Sequence, residues 1–245
     1  MQLDYIGKIK TPDILSQVEL WTNNKPTKIK SKINYSNVES FFYSISSEGI
    51  SSEKAYWESI TPKSDSEKFK RWLFAFMSVH TSYASNLNGY KAIQSWTEWF
   101  NKPEVLKEKL IESRVGLHNL RTRFVSDFSK AFWSSPKTFD KQDVETWTGY
   151  RNRLEQYILG LGMAKVSFAI EMLYPNKAEV VCLDTHLFQA YDLNQTKDHY
   201  QYRGIEKHWT EMCKMWSVPN YIARCIYWNK KQSKTDSRYW SSVLE

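Results

Sequence analysis

Apolar side chains recur every three or four residues along most of the chain, a spacing that places them on one face of an α-helix. One helix is expected to begin at Pro103, because proline is favoured in the first turn of a helix. Runs that alternate apolar and polar residues over the length of a strand are rare. The pattern therefore predicts a mainly α fold. The segments with the clearest helical spacing are 66–82, 87–100, 117–132, 147–159, 164–173 and 221–228.

The first sixty residues carry shorter helical signals. Thr11-Pro12-Asp13 predicts the start of one helix, and Ser36 is predicted to cap a second helix, with Glu39 completing a capping box. The lysine-rich segment 23–32 between them is predicted to be a loop. We therefore expect residues 1–60 to form an N-terminal helical extension packed on a core of residues 61–245, which is expected to be one continuous unit.

Charge is the aspect of composition that bears most on function. The 245 residues carry a formal net charge of +7. A basic protein suits a polyanionic partner, because each Lys or Arg that neutralises a phosphate releases counterions. The alternative is a basic surface with no such partner. Aromatic residues make up 16% of the chain, and some of them could stack on bases rather than pack in the core.

The cysteines and the hydropathy exclude other classes of protein. Cys182, Cys213 and Cys225 are far apart and form no CxxC pair, which argues against a zinc site and a cubane iron–sulfur cluster. No apolar run approaches the roughly 20 residues that span a bilayer. The N-terminal ten residues lack the apolar core of a signal peptide. We expect a cytoplasmic protein with reduced thiols and no membrane partner.

A glycine-containing break, Leu159-Gly160-Leu161-Gly162-Met163, joins two predicted helices into a hairpin over 147–174. Glycine lets the backbone turn sharply and approach a ligand closely. The amides at the start of the following helix, helped by the helix dipole, are suited to bind a phosphate. A plain helix–helix turn would have the same sequence pattern, so the hairpin alone does not indicate a function.

Two reactive side chains follow the hairpin at a distinctive spacing. Lys165 lies just inside the second helix, and Asp184 lies nineteen residues later, after the apolar run 180–183. This text resembles the helix-hairpin-helix (HhH-GPD) DNA glycosylases, in which an LPGVGxK hairpin precedes a V-D-T-H or V-D-x-H stretch. Here the matching text is LGLGMAKVSFAIEML and then VVCLDTHLF, and the resemblance covers roughly residues 67–193. The chain also resembles small phage-type members with a GLGxxK hairpin and a CxDTH stretch.

The resemblance implies a two-lobed helical fold and a DNA glycosylase that flips a damaged or modified base out of duplex DNA, with AP lyase activity. Asp184 would stabilise the sugar cation, and Lys165 would attack the sugar as the Schiff-base nucleophile. The implied partner is double-stranded DNA, bound by a monomer, in the host cytoplasm if the protein is phage-encoded. No cofactor is required, although the hairpin could hold a structural monovalent cation. The implied DNA contacts are Gly160, Leu161, Gly162, Met163, His80 and His186.

Several alternatives stay open. Leu159 replaces the hairpin proline of the family, and one extra residue separates the glycines from the lysine. A strict count therefore puts Ala164 where the lysine belongs, which would make the enzyme monofunctional or altered and Lys165 a phosphate contact. Asp184 could be a simple helix cap.

The two histidines also have alternative roles. His186 could make a structural hydrogen bond rather than touch a phosphate. His80 stands where the family has a glutamine that fills the gap left by the flipped base, but it could also be an ordinary residue at a helix end. Arg121 and Arg123 lie on a predicted exposed face and are candidate phosphate contacts.

The sequence leaves open two other functions on the same fold. One is an enzyme of modified-base metabolism in phage DNA. The other is a non-catalytic helix-hairpin-helix protein that binds DNA through phosphates. The sequence does not identify the base, because the residues of such a pocket come from scattered helices.

Overall fold

Helices account for the regular structure in the described part of the chain. The computed structural model describes residues 33–193 and 199–245, and no strand occurs in those ranges. The expected helix start at Thr11 and the expected loop 23–32 lie outside the described residues, so the proposed extension 1–60 stays a prediction. No helix in the described part is long and apolar enough to cross a membrane. In chain order the helices are α1 Ser36–Tyr43, α2 Ser47–Ser59, α3 Asp65–Met77, α4 Tyr83–Ile93, α5 Pro103–Glu112, α6 His118–Ser134, α7 Trp147–Tyr157, α8 Met163–Leu173, α9 Thr185–Ala190, α10 His199–Met215, α11 Asn220–Lys231 and α12 Arg238–Ser241.

The first lobe is built around α3, which packs against α4, α6 and α8. Helix α3 begins with a capping box, in which the Ser64 hydroxyl accepts the amide hydrogen of Glu67 and the Glu67 carboxylate accepts that of Ser64. Its apolar face is fully buried, and the ring of Phe69 stacks on that of Phe128 from α6 with centroids 5.8 Å apart. Helices α5 and α7 complete this lobe by packing on α6 and α8.

The second lobe combines the two ends of the described chain. Helix α2 packs against α11, and α1 packs against α10. Aromatic side chains join these helices: Phe41 lies with its ring centroid 5.0 Å from that of Tyr227, and Trp57 lies 4.7 Å from Tyr221. The prediction of a mainly α, two-lobed fold is therefore confirmed.

The structure corrects three local predictions. Helix α1 does begin at Ser36, but Ser36 is its first residue and not its cap; the Asn34 side chain accepts the Ser36 amide hydrogen at 3.0 Å. The helix expected over 87–100 is α4, which starts earlier and ends at Ile93.

The third correction concerns Arg121, which is buried and not on an exposed face. Its guanidinium donates hydrogen bonds to the carbonyl oxygens of Phe76, Val79 and Gly116. Arg121 therefore ties α6 to the turn that follows α3, because a buried guanidinium needs acceptors for its donors.

Candidate active site

A cleft of about 840 Å³ opens between the two lobes. The first lobe lines it with the turn 78–83 and the first half of α8, and the second lobe lines it with residues 182–188 and with parts of α11 and α12. Gly160 and Leu161 lie outside the lining. Of the residues singled out in the sequence, the cleft brings together His80, Gly162, Met163, Lys165, Asp184 and His186.

The two hairpin glycines have different structural roles. Gly160 has a φ of +90°, and a Cβ there would lie 2.4 Å from the ring of Phe124, so only glycine fits. Gly162 has an extended backbone, and a Cβ there would meet nothing within 4 Å. Gly160 therefore forms the turn between α7 and α8, whereas Gly162 leaves the surface in front of α8 open.

The hairpin amides are partly occupied by the protein itself. The amide of Met163, the first residue of α8, donates to the Glu155 carboxylate at 3.0 Å. Leu161 is buried in the core, so only its backbone could reach DNA. A phosphate bound at this hairpin would therefore lie beside a carboxylate that already uses one of the donors.

Lys165 is the third residue of α8 and is half-buried at the wall of the cleft. Its Nζ lies 5.7 Å from the centroid of the Phe168 ring, one turn further along the same helix. Ala164, the alternative equivalent of the family lysine, lines the cleft as well. The extra residue in the hairpin has thus not moved Lys165 out of the cleft.

The extended run before Asp184 lies outside any sheet, and side chains hold its backbone. Three consecutive amides, those of Val181, Cys182 and Leu183, donate to Glu206 at 2.9 Å, to Glu171 at 3.2 Å and to the Tyr202 hydroxyl at 3.2 Å. Buried amides need such partners, and a sheet would normally supply them. Side chains from α8 and α10 therefore determine where Asp184 is placed.

Asp184 has a different partner for each of its carboxylate oxygens. Its Oδ1 accepts the Leu187 amide hydrogen at 3.0 Å, which makes Asp184 the cap of the short helix α9. Its Oδ2 lies 3.8 Å from Nη1 of Arg224, and the side chain keeps 23% of its surface exposed toward the cleft. Asp184 is therefore a helix cap and a cleft residue at once, and the first role does not exclude a second.

Behind Asp184 lies an ion pair between Arg224 and Glu171, both of which are buried. Nε of Arg224 donates to both Glu171 oxygens, at 3.1 and 3.0 Å, and Nη2 lies 2.9 Å from Oε2. Burial raises the pKa of Glu171 to about 7 although Arg224 opposes the shift. Despite burial, the Glu171 carboxylate keeps the pKa of Arg224 above its ordinary range.

Sequence reasoning missed this pair. Each residue is a charge within an otherwise apolar helical segment, SFAIEML in α8 and YIARCIYW in α11. A charge in such a setting is seldom buried unless it is paired, so the signal for a buried ion pair was present.

The two histidines lie at different depths in the cleft. The His186 ring packs edge-on against Trp228 of α11 with centroids 4.5 Å apart, and its carbonyl oxygen lies 3.5 Å from the Tyr227 hydroxyl. His80 is exposed at the turn after α3 and has a φ of +49°, which is uncommon for a residue other than glycine.

Several residues that line the cleft have a buried polar atom with no hydrogen-bond partner within the described part of the chain. Among these atoms are Oδ1 of Asn86 on α4 and Nε1 of Trp240 on α12. The Trp240 ring packs near those of Phe74, at 5.6 Å, and Phe168, at 6.1 Å. A buried polar atom without a partner is costly, so these two atoms are suited to contact a ligand.

The described residues contain no group of three or more His, Cys, Asp or Glu side chains that could hold a metal ion. The monovalent cation suggested for the hairpin stays a prediction.

Comparison with known proteins finds likeness at the level of the fold. No family model matches the chain, and no curated protein matches it. The 8-oxoguanine DNA glycosylase of Methanocaldococcus jannaschii is 17% identical, with a TM-score of 0.62, 77% of this chain covered and 88% of the other. That organism's 8-oxoguanine glycosylase/lyase in complex with a 15mer DNA containing 8-oxoguanine is 16% identical, with a TM-score of 0.63 and coverages of 82% and 98%. The 8-oxoguanine DNA glycosylase of Thermotoga maritima is 16% identical, with a TM-score of 0.67 and coverages of 82% and 100%. The chain therefore has the two-lobed helical fold of the helix-hairpin-helix DNA glycosylases.

Proposed function

We propose that this protein is a DNA glycosylase that flips a damaged or modified base out of duplex DNA and breaks its N-glycosidic bond. The observation that carries the proposal is the placement of Lys165 and Asp184 on the walls of one cleft in a glycosylase fold. The proposed enzyme acts as a monomer. Its hairpin text GLGMAK and its CLDTH stretch favour the small phage-type members of the superfamily.

Asp184 is the proposed catalytic carboxylate. Breaking the bond between the base and C1′ develops positive charge on the sugar, and a carboxylate held nearby stabilises that charge. Because Oδ1 is held by the Leu187 amide, Asp184 needs no reorganisation as the charge develops. Its exposed surface toward the cleft leaves room for the sugar to approach.

Lys165 is the proposed nucleophile. Its amine would form a bond to C1′ while the bond from C1′ to the base breaks; the electron pair would leave with the base, which takes up the proton that the amine gives up. Opening of the sugar ring would then give a Schiff base, from which loss of the 3′ phosphate by β-elimination cleaves the strand. If water attacks instead, Lys165 is a phosphate contact and the enzyme releases the base without cutting DNA.

The rest of the cleft suits an extruded base. Its volume of about 840 Å³ lies within the usual range for small-molecule sites. Aromatic rings that line it offer stacking surfaces, and the unpaired atoms of Asn86 and Trp240 offer an acceptor and a donor for the edge of a base. The net charge of +7 favours association with duplex DNA.

The direct test is a panel of duplexes that each carry one modified base, with 8-oxoguanine included because the structural neighbours act on it. Base release is measured as strand breakage after alkali treatment, which cleaves at abasic sites. We expect release from at least one duplex and none from the unmodified control. DNA binding without release from any duplex would contradict the proposal and favour a non-catalytic DNA-binding protein or an enzyme of modified-base metabolism.

The lyase activity has its own test on the same duplex. Borohydride reduces a Schiff base to a stable adduct, so the protein is expected to become linked to DNA. Lys165→Gln should abolish the adduct, whereas Lys177→Gln, an exposed lysine outside the cleft lining, should leave it unchanged. An undiminished adduct in Lys165→Gln would remove this lysine from the chemistry.

A further inference from the structure

Three charged side chains form a chain from the core to the cleft. Glu171 is fully buried, and Arg224 is almost fully buried against it. Asp184 lies at the cleft, with its Oδ2 3.8 Å from Nη1 of Arg224. They come from three separate elements, namely α8, α11 and the extended run that precedes α9. The same α8 carries Lys165, so this charge network connects the elements that carry both proposed reactive groups.

Arg224 has little freedom to move. Its Nε donates to both carboxylate oxygens of Glu171, and its Nη2 lies 2.9 Å from one of them. The guanidinium also lies over the rings of Phe168 and Tyr221, at 5.1 and 5.2 Å from their centroids. A cation held this firmly gives the facing carboxylate oxygen of Asp184 a preferred direction, while the helix cap holds the other oxygen.

An arginine at this distance would by itself weaken Asp184 as a stabiliser of positive charge. Opposite charges a few ångströms apart cancel much of each other's field in a poorly hydrated site. Glu171 changes this balance, because Arg224 and Glu171 together carry no net charge. Asp184 then gives the network its single net negative charge, and that charge is the one nearest the cleft.

We infer that Arg224 is a positioning residue for the Asp184 carboxylate and that Glu171 cancels the charge of Arg224, so that Asp184 presents an undiminished negative charge to the sugar. This inference rests on the proposed function, since it assigns Asp184 to the sugar cation. Neither residue touches the reacting atoms; both act through Asp184.

The test uses two duplexes that differ only in charge at the sugar. One carries a pyrrolidine abasic nucleotide, whose protonated ring nitrogen mimics the sugar cation, and the other carries a neutral tetrahydrofuran abasic nucleotide. The ratio of their dissociation constants reports the field that the protein applies at the sugar, because mimics of the transition state gain from the same interactions. The damaged base need not be known, and a loss of fold or of general DNA affinity affects both duplexes alike.

We expect the wild-type protein to prefer the pyrrolidine duplex. Glu171→Gln should lower this preference about tenfold, because Arg224 is then an uncancelled cation beside the site. The double variant Glu171→Gln with Arg224→Met should lower it by only about threefold, since the positioning is lost but the uncancelled charge is gone. If Glu171→Gln alone fails to fold, the double variant can still be measured, because it leaves no buried charge without a partner.

A second buried pair supplies the matched control. Arg151 and Glu206 are as deeply buried, and Glu206 holds the Val181 amide next to the Cys182 amide held by Glu171. Neither residue lines the cleft. Glu206→Gln, and Glu206→Gln combined with Arg151→Met, should leave the preference within about twofold of wild type.

The outcomes separate the two proposals. A wild-type protein with no preference for the pyrrolidine duplex would contradict the proposed function and, with it, this role of Arg224 and Glu171. A wild-type preference that neither Glu171→Gln nor the double variant lowers would overturn the positioning role alone. An equal loss in the control variants would also overturn it, because the effect would then come from placing the extended run.

Discussion

Two buried arginine–glutamate pairs hold neighbouring amides of the same extended run, yet only one of them reaches the cleft. Glu206, paired with Arg151, accepts the Val181 amide hydrogen. Glu171, paired with Arg224, accepts that of Cys182, and Arg224 continues to Asp184. The chemistry of the two pairs is the same, so the difference between them lies in what the arginine faces on its other side.

The difference between the two pairs shows how a side chain that supports the fold can acquire a role in a site. Each glutamate replaces a hydrogen bond that a sheet would supply, which explains why a side-chain acceptor is needed at these buried amides. Arg151 lies 5.8 Å from the ring centroid of Tyr202 and donates to Asn152 at 3.2 Å, and it does not line the cleft. Arg224 meets a second carboxylate, and this makes its charge relevant to the proposed chemistry.

The largest effect that we expect is on stability, and it should be alike for the two pairs. Glu171→Gln and Glu206→Gln each turn an amide group toward the donors of a buried arginine, and a buried donor left without an acceptor typically costs about 1–3 kcal/mol. Urea unfolding monitored by circular dichroism would measure the free energy of unfolding of each variant. A loss of unfolding free energy in only one of the two variants would show that the two pairs do not contribute equally to the stability of the fold.

A smaller effect of pH should distinguish the pairs. Because burial raises the pKa of Glu171 to about 7, this carboxylate takes up a proton as the pH falls through that value, and Arg224 then loses its counter-charge. The unfolded chain releases the proton near pH 4.5, so ionising Glu171 also costs folding stability as the pH rises between the two values. The titratable groups that surround Glu171, Arg224 and Asp184 include three thiols and two tyrosine hydroxyls, those of Cys182, Cys213, Cys225, Tyr221 and Tyr227. Burial raises the pKa of each of these groups, which therefore stay neutral between pH 6 and pH 8.

The expected result is that the wild-type preference for the pyrrolidine duplex falls between pH 8 and pH 6 toward the value of Glu171→Gln, by about tenfold at most. Glu171→Gln should show no such fall with pH. The control variant Glu206→Gln combined with Arg151→Met should show the same fall as the wild-type protein. Binding titrations of both duplexes across this range make the check. A fall that persists in Glu171→Gln would assign the pH effect to another group.

The features that sequence reasoning predicted are local in the chain. The hairpin depends on Gly160, whose positive φ and contact with Phe124 explain the glycine that marks it. Only the rest of α8 and the short run that follows it separate Lys165 from Asp184, and both residues line the cleft. Helix α10 was missed although its buried residues 202, 205, 209 and 212 follow helical spacing.

The features that sequence reasoning could not predict depend on contacts between distant elements. Glu171 and Arg224 lie 53 residues apart, and only the packing of α8 against α11 brings them together. Arg121 was predicted to lie on the surface because its three acceptors are backbone carbonyl oxygens. Phe76 lies at the end of α3, Val79 lies in the turn that follows it, and Gly116 lies just before α6. Backbone acceptors leave no trace in the pattern of side chains.

The proposed role of Asp184 is tested most directly by the rate of base release by Asp184→Asn, measured under single-turnover conditions on a duplex from which the wild-type protein releases the base. Asparagine keeps the size and much of the capping ability but removes the charge that faces the sugar cation. We expect release to slow by roughly 10²–10³-fold while the affinity for DNA stays near that of the wild type. Base release at the wild-type rate would show that Asp184 is a helix cap and no more.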